Sequence, residues 1–292
     1  MKFGWLAILG LLWSARLSAM KAAATSGIPA YITVVISVAG IAAVFSAISL
    51  SRRSYPPLSF VAMRFYLLSG VLGFILPFIA ENLVSPHLQV FVFTTIIATM
   101  PIITLVLGAA SGAEKLGLRQ IAGIGLGFVV AVLIATDTSG KGGLGDFNIK
   151  WVVMGFGVPL LYAINTIFVA SRWPPGVDAI QVANAQALVV SFAILAGAVV
   201  KGGDWQWSTA LLNPWAILGI VLFEALGLLV YLRIARDHGA SFVSQANYIS
   251  MVFSAALGFF FFGDRLTWLT AFAGFLLVVA LRAGRPFNGT NN

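Results

Sequence analysis

The sequence contains no cysteine and only two histidines, His87 and His238, among its 292 residues. The absence of thiols excludes disulfides, thiolate metal sites and cysteine nucleophiles, although it says little about the compartment. Two histidines are too few to build a histidine metal cluster. We therefore expect neither a bound metal nor another cofactor.

Charged residues are scarce as well, at 9% of the chain. The 17 Lys and Arg against 9 Asp and Glu give a net charge of +8, yet the basic residues stand singly or in pairs between apolar runs. They form no continuous basic face, so we expect no nucleic acid partner. The clustered nucleophiles or paired carboxylates of a membrane-embedded enzyme are not evident either.

Hydrophobic residues make up 60% of the chain, and the mean hydropathy is +1.00. The alternation typical of an outer-membrane barrel is missing. Ten apolar runs approach the roughly 20 residues that a membrane-spanning helix needs. They cover approximately 3–22, 29–51, 58–80, 89–110, 119–136, 150–171, 178–200, 213–236, 241–262 and 267–283. The sequence thus predicts an all-α, multi-pass membrane protein with ten transmembrane helices.

An acid-base-leucine step between two apolar runs occurs once in each half of the chain. Glu114-Lys115-Leu116 is followed 150 positions later by Asp264-Arg265-Leu266. Such self-similarity indicates an internal repeat. We expect a first five-helix copy over 1–136, a periplasmic linker over 137–149, a second copy over 150–284 and a cytoplasmic tail over 285–292.

The first run also fits a cleaved secretory signal, since it joins Lys2 and an apolar stretch to Ala22-Ala23-Ala24. Cleavage would remove the first helix of copy one and break the repeat, so a retained helix is favoured.

Loop charges predict the orientation of these helices. With the N-terminus inside, ten basic residues fall on the cytoplasmic side and five on the other, which favours cytoplasmic N- and C-termini. Five helices per copy then place the second copy upside down in the membrane. Inverted repeats are typical of alternating-access carriers, whose substrate site lies near the midplane between the copies.

Several motifs carry a likeness to a known family: Leu12-Trp13-Ser14 with Lys21, Met100-Pro101 before Glu114-Lys115-Leu116, and the stretch from Gly258 to Leu266. Together they resemble the EamA-type transporters of the drug/metabolite transporter superfamily, over essentially the whole chain. The resemblance implies a ten-helix inner-membrane carrier that exports small metabolites, often amino acids. Within the family, the branch that exports aromatic and other hydrophobic amino acids is the one we expect. Methionine stands at 251, where copy two would match Pro101, so functional asymmetry between the copies is expected.

Two charged residues fall inside predicted helices, where they are costly. Arg16 and Glu224 lie at depths that differ by only about 5 Å. Arg16 either extends toward the interface or holds a substrate carboxylate. Glu224 either forms a structural contact between helices or meets an ammonium group or a coupled proton.

Other candidate substrate ligands are aromatic or carry amides. Trp13 and Arg16 are three residues apart, as are Tyr162 and Asn165 at the matching place of copy two, which suggests faces turned to a shared cavity. Interfacial belts are the alternative for both aromatics. Asn247 and Tyr248 of the ninth run complete the substrate set.

Two prolines and two glycines are the remaining candidates. Pro101 and Pro159 are expected inside helices, as gating hinges or as kinks without a function. Gly123 and Gly127 form a face suited to close helix packing. Packing within the monomer is the favoured use of this face, and dimerisation is the alternative.

The sequence therefore predicts a secondary carrier for a small metabolite, an amino acid first, with membrane lipid as its surroundings and a coupled proton left open. The alternatives are a carrier of drugs or cationic compounds and a nucleotide-sugar carrier. The latter would want several basic residues in the cavity, where only Arg16 is available. A channel is disfavoured because polar residues are sparse and central rather than continuous along several helices.

Overall fold

A computed structural model describes residues 2–88, 90–110, 149–202, 205–244 and 246–263, with isolated positions between 118 and 129 and between 268 and 279. Every regular element in the described part is helical. The acid-base-leucine steps at 114–116 and 264–266, and the glycines at 123 and 127, lie outside the described residues.

Eleven α-helices are numbered here in chain order through the described ranges. They are α1 (Lys2–Thr25), α2 (Ala30–Arg52), α3 (Phe60–Gly70), α4 (Leu76–Val84), α5 (Val90–Ile97), α6 (Met100–Ala110), α7 (Ile149–Arg172), α8 (Ala179–Lys201), α9 (Pro214–His238), α10 (Ala240–Val243) and α11 (Ala246–Phe262). A π-helical turn, Val71–Ile75, joins α3 to α4, and a 3₁₀ helix, Trp207–Leu212, precedes α9.

Six described segments are long and apolar enough to cross a membrane, with lengths of 22 to 25 residues and hydropathies of 1.3 to 2.3. At 1.5 Å per residue each spans about 33 Å or more, which matches a hydrocarbon core of about 30 Å. They are Gly4–Thr25, Ala30–Arg52, Phe60–Val84, Lys150–Arg172, Ala179–Val200 and Pro214–His238. The predicted fifth and tenth runs fall largely outside the described residues, so the count of ten stays a prediction.

The predicted fourth and ninth runs are each interrupted. Ala98 and Thr99 separate α5 from α6, and α10 ends just before Ser244. Pro101 is the second residue of α6, so its expected place in a helix interior was wrong. A proline there costs no hydrogen bond, because the first turn of a helix has no partner for that N–H. The ninth run is interrupted without a proline.

Contacts near the helix ends show which ends lie on the same side of the protein. At the first end, Asn213 before α9 donates to Ser26 after α1 at 3.0 Å, and His87 after α4 stacks on Trp151 of α7 with ring centroids 3.9 Å apart. At the second end, Gln181 of α8 donates to the carbonyl of Tyr55 after α2 at 3.0 Å. Successive long helices therefore alternate in direction, and α7 begins at the end where α1 finishes.

The first helix packs closely against α11. A Cβ at Gly10 would lie 2.8 Å from the backbone nitrogen of Ser250 and 2.9 Å from the carbonyl oxygen of Ala246. Ser14 donates to the Ser250 carbonyl at 2.6 Å, and Ser254 donates to Ser14 at 3.1 Å. Small and hydroxyl-bearing residues of this kind let membrane helices approach backbone to backbone.

Candidate functional site

A central cavity lies between the two halves of the chain, with an empty volume of about 720 Å³ including the space open to solvent. Both halves contribute to its wall, which combines apolar side chains with a few polar ones. Six of the seven substrate ligands predicted from the sequence line it: Trp13, Arg16, Tyr162, Asn165, Glu224 and Asn247. A concave, largely apolar wall with a few convergent polar groups is typical of a small-molecule site.

Arg16 forms two ion pairs at the wall of this cavity. Its Nη1 lies 2.5 Å from Oε2 of Glu81, and its Nε lies 2.7 Å from Oε2 of Glu224. The exposed fractions are 4% for Arg16, 0% for Glu81 and 15% for Glu224. Arg16 and Glu224, which were expected at similar depth, are thus in contact, and Arg16 does not extend to the interface.

Tyr162 extends this cluster into the second half of the chain. Its hydroxyl donates to Oε1 of Glu81 at 2.8 Å, and Nη2 of Arg16 lies 3.5 Å from the same hydroxyl. Four helices therefore meet at one guanidinium: α1 and α4 from the first half, α7 and α9 from the second. Any movement of one half against the other must act on these contacts.

The cluster holds one cation and two carboxylates. With both carboxylates ionised, Arg16, Glu81 and Glu224 carry a net charge of −1 in a buried setting. An uncompensated charge away from water is expensive, so the site favours a proton or a cationic group as its fourth component.

Glu81 is the functional candidate that the sequence reading missed. The predicted third run ends at residue 80, one position before Glu81, whereas the helix continues to Val84. A usable signal existed: Leu83 and Val84 follow the glutamate, and the first turn-forming pair is Ser85-Pro86. A charge followed by further apolar residues is still inside the helix.

A second polar group lines the cavity around Tyr231. Asn165 donates from Nδ2 to the Tyr231 hydroxyl at 3.4 Å, and that hydroxyl is 3.1 Å from Oγ1 of Thr166. The carbonyl Oδ1 of Asn165 is buried and has no hydrogen-bond partner among the described residues. An orphaned buried acceptor is costly, so Asn165 is suited to receive a donor from a ligand.

The two predicted aromatic residues both face the cavity and not an interfacial belt. Trp13 packs against Tyr231 with ring centroids 6.2 Å apart, and Tyr162 is held by Glu81. Tyr231 was not among the predicted site residues, and it lies seven residues before the end of α9.

The π-helical turn at 71–75 shapes the wall opposite Asn165. Pro77 follows this turn and has no backbone N–H, and its ring would crowd the carbonyl four residues earlier in a regular helix. The wider turn relieves that conflict, and π-turns of this kind are frequent at functional sites. Gly73 sits in the turn against the carboxamide of Asn165, so a side chain at this position would collide with it.

The two interrupted segments meet across the cavity. Asn247, near the start of α11, points its Nδ2 at the sulfur of Met100 at 3.4 Å, where α6 begins. The same nitrogen donates to the Ser244 carbonyl at 3.1 Å. Tyr248 belongs to α11, but its side chain lies outside the described part of the structure.

The two prolines do not line the cavity. Pro159 lies inside α7, as expected, and Pro101 at the start of α6. Their role as gating hinges stays a prediction.

Comparison with known proteins agrees with this architecture. The EamA-like transporter family matches the chain twice, over residues 2–136 and 149–282. The chain belongs to this family. EamA-like proteins are membrane transporters of the drug/metabolite transporter superfamily and not enzymes, so this family member is a multi-pass membrane transporter.

Further comparisons add the fold alone. A solved crystal structure superposes on this EamA-family chain with a TM-score of 0.56, covering 95% of each chain at 14% sequence identity. No curated protein matches the chain significantly.

Proposed function

We propose that this chain exports small metabolites that bear an amino group, amino acids with aromatic or hydrophobic side chains first among them. The observation that carries the proposal is the buried cluster of Arg16, Glu81 and Glu224, which joins both halves beside the aromatic wall of the cavity. Alternating access would proceed by rocking of the two halves around this cluster.

The proposed architecture is ten helices in two inverted five-helix copies, with both termini cytoplasmic, in the inner membrane. The opposite directions of α1 and α7 and the ten basic residues against five in the loops support it. We propose a monomer as the working unit, because the cavity is formed within one chain.

An amino acid fits the cluster by exchange of ion-pair partners. Its carboxylate would replace Glu224 at Arg16, and its ammonium group would pair with the released Glu224, so each charged group keeps a partner of opposite sign. Asn165 would accept a hydrogen bond through its unpartnered Oδ1. Trp13 would contact the apolar part of the substrate.

With two carboxylates and one guanidinium, the cluster has a carboxylate that would carry a coupled proton. A zwitterionic substrate adds no net charge, so the excess negative charge of the cluster persists during its binding. A proton on Glu224 would remove it, and release of that proton to the opposite side would couple transport to the proton gradient.

Cationic compounds are the second candidate, favoured by the excess of carboxylates over guanidinium in the cluster. A monocation would neutralise the site without a proton. A nucleotide sugar is disfavoured by the same count, because its phosphates would meet two carboxylates and one arginine.

Counterflow in proteoliposomes tests the proposal. Vesicles are loaded with one unlabelled amino acid at a time, and entry of the matching label is followed with and without a pH gradient. We expect accumulation for aromatic and other hydrophobic amino acids. Glu81→Gln and Glu224→Gln should each lower the initial rate about tenfold or more, since a hydrogen bond to a charged group contributes about 1.5–3 kcal/mol.

The control is Asp237→Asn, which removes an exposed carboxylate outside the cavity and should leave the rate unchanged. Accumulation of a labelled quaternary ammonium ion, with none for any amino acid, would transfer the assignment to cationic compounds. Rates indifferent to both glutamine substitutions would contradict the site.

A further inference from the structure

A second cavity lies at the second end of the helices and shares no lining residue with the central one. It has an empty volume of about 410 Å³, including the space open to solvent, and lies between α2, α8 and α9. Its charged wall consists of Arg52, Arg233, Arg236 and Asp178. None of these residues belongs to the transport site described above.

The two carboxylates near this cavity already have hydrogen-bond or ion-pair partners. Asp178 caps α8, since its Oδ1 accepts from the backbone N–H groups of Ile180 and Gln181, both at 2.8 Å. Arg236 pairs with Asp237, Nε to Oδ1 at 2.8 Å. Among the described residues, Arg52 and Arg233 form no ion pair. The cavity therefore has an excess of positive charge, with two guanidinium groups available for an anion.

The position of the cavity suits a lipid headgroup. Arg52 is the last residue of α2, and Arg233 lies five residues before the end of α9, about 7.5 Å along its axis. Trp173 lies under Arg236, with the guanidinium carbon 5.7 Å from the ring centroid. Tryptophan and arginine at helix ends are typical of the membrane–water interface.

An apolar track continues from the cavity toward the membrane centre. Leu226 and Leu222 precede Arg233 by 7 and 11 positions, so at 3.6 residues per turn all three lie on one face of α9. Both leucines are exposed, at 53% and 44%. A soluble anion would leave this apolar face uncovered, whereas an acyl chain attached to a headgroup in the cavity would cover it.

We propose that this cavity is the headgroup site of an anionic phospholipid. Its phosphodiester lies between Arg52 and Arg233, and one acyl chain follows Leu226 and Leu222 along α9. Planar guanidinium groups recognise phosphate through paired hydrogen bonds. Basic cavities between transmembrane helices are a known form of lipid recognition. The proposal does not depend on the identity of the transported substrate.

The test uses the full-length protein in a neutral detergent. Its melting temperature is followed during titration with short-chain phosphatidylglycerol, with phosphatidylcholine of the same chain length, and with inorganic phosphate. We expect a saturable rise with phosphatidylglycerol alone. Arg52→Gln combined with Arg233→Gln should weaken the apparent affinity about tenfold or more, because it removes both guanidinium groups that face the phosphodiester.

The matched control is Arg64→Gln combined with Arg172→Gln, which removes two charges at the same end but outside the cavity. This variant should bind phosphatidylglycerol like the parent. Arg52→Lys combined with Arg233→Lys keeps the charge but removes the planar guanidinium groups, so it should bind phosphatidylglycerol more weakly than the parent. It carries the test if the glutamine pair fails to fold, and unchanged affinity in this variant would overturn recognition by the guanidinium groups. Equal weakening in the control pair would mean general surface attraction and overturn the proposal. A response to inorganic phosphate equal to that of the lipid would overturn the lipid assignment.

Discussion

Arg16 and Glu81 are 65 positions apart in the sequence, and their side chains form a fully buried ion pair, Nη1 to Oε2 at 2.5 Å. The pair joins α1 to α4 within the first half, and Glu224 of the second half contacts the same guanidinium. A buried ion pair adds little net stability over apolar residues, because desolvation offsets the attraction. The ion pair at the cavity wall is therefore better explained by a role in ligand binding than by a role in stability.

Removing the guanidinium should destabilise the protein far more than removing a surface charge. Arg16→Met would leave Glu81 and Glu224 facing each other without a cation, and breaking a buried pair in this way costs about 3–5 kcal/mol. Thermal unfolding in detergent should show a clearly lower melting temperature. Arg64→Gln is the control and should change the free energy of unfolding by about 0.5 kcal/mol or less.

A double variant checks whether unpaired carboxylates cause the loss of stability in Arg16→Met. Adding Glu224→Gln to Arg16→Met should recover part of the lost stability, because one of the two unpaired carboxylates is removed. If the double variant melts lower than the single one, the charge account of the cluster is incorrect.

The charges at membrane depth were the most informative part of the sequence. Arg16 and Glu224 were placed at similar depth by counting residues from the helix ends, and they meet. Glu81 was missed because the predicted third run ends at residue 80, whereas the helix continues to Val84. Helix ends are the least certain feature of a hydropathy pattern. The π-turn at 71–75 and the partners of Asn165 depend on packing between helices, which no single-helix pattern encodes.

Two buried asparagines allow ligand binding to be separated from structural support. Asn165 has a cavity-facing Oδ1 without a hydrogen-bond partner in the described part of the chain, while Asn184 donates to Ser49 at 2.9 Å and accepts from Ser46 at 3.2 Å. We expect Asn165→Ala to raise the transport KM about tenfold with a small change in melting temperature, the loss of about one hydrogen bond. Asn184→Ala should lower the melting temperature with KM unchanged. The reverse pattern would place the ligand-binding amide at Asn184.

The π-turn can be tested with a single methyl group. Gly73→Ala would drive its Cβ into the carboxamide of Asn165, whereas a Cβ at Gly157 would meet nothing within 4 Å. Overpacking of this kind costs about 1–3 kcal/mol, and here it also displaces a cavity residue. Transport by Gly73→Ala should fall sharply, and Gly157→Ala should transport like the parent. Equal activity of the two variants would mean that Asn165 can move without consequence.

His87 supplies a pH prediction outside the membrane-spanning segments. It stacks on Trp151, and partial burial, followed by the charge of Lys150, lowers the pKa of His87 below its ordinary value of 6.5. A lowered pKa in the folded state means that the unfolded chain binds the proton more tightly. The contribution of His87 to stability is therefore constant above pH 6.5 and declines as the pH falls below that value.

The titration of His87 can be followed by NMR in detergent micelles, in a His238→Gln background that leaves one histidine. The midpoint should lie below 6.5, and Lys150→Gln should move it upward because one of the two causes of the shift is removed. Lys21→Gln removes a charge at the same end, from a lysine that lies over the ring of Phe262, and should leave the midpoint unchanged. A midpoint unaffected by Lys150→Gln would mean that burial against Trp151 alone sets the pKa of His87.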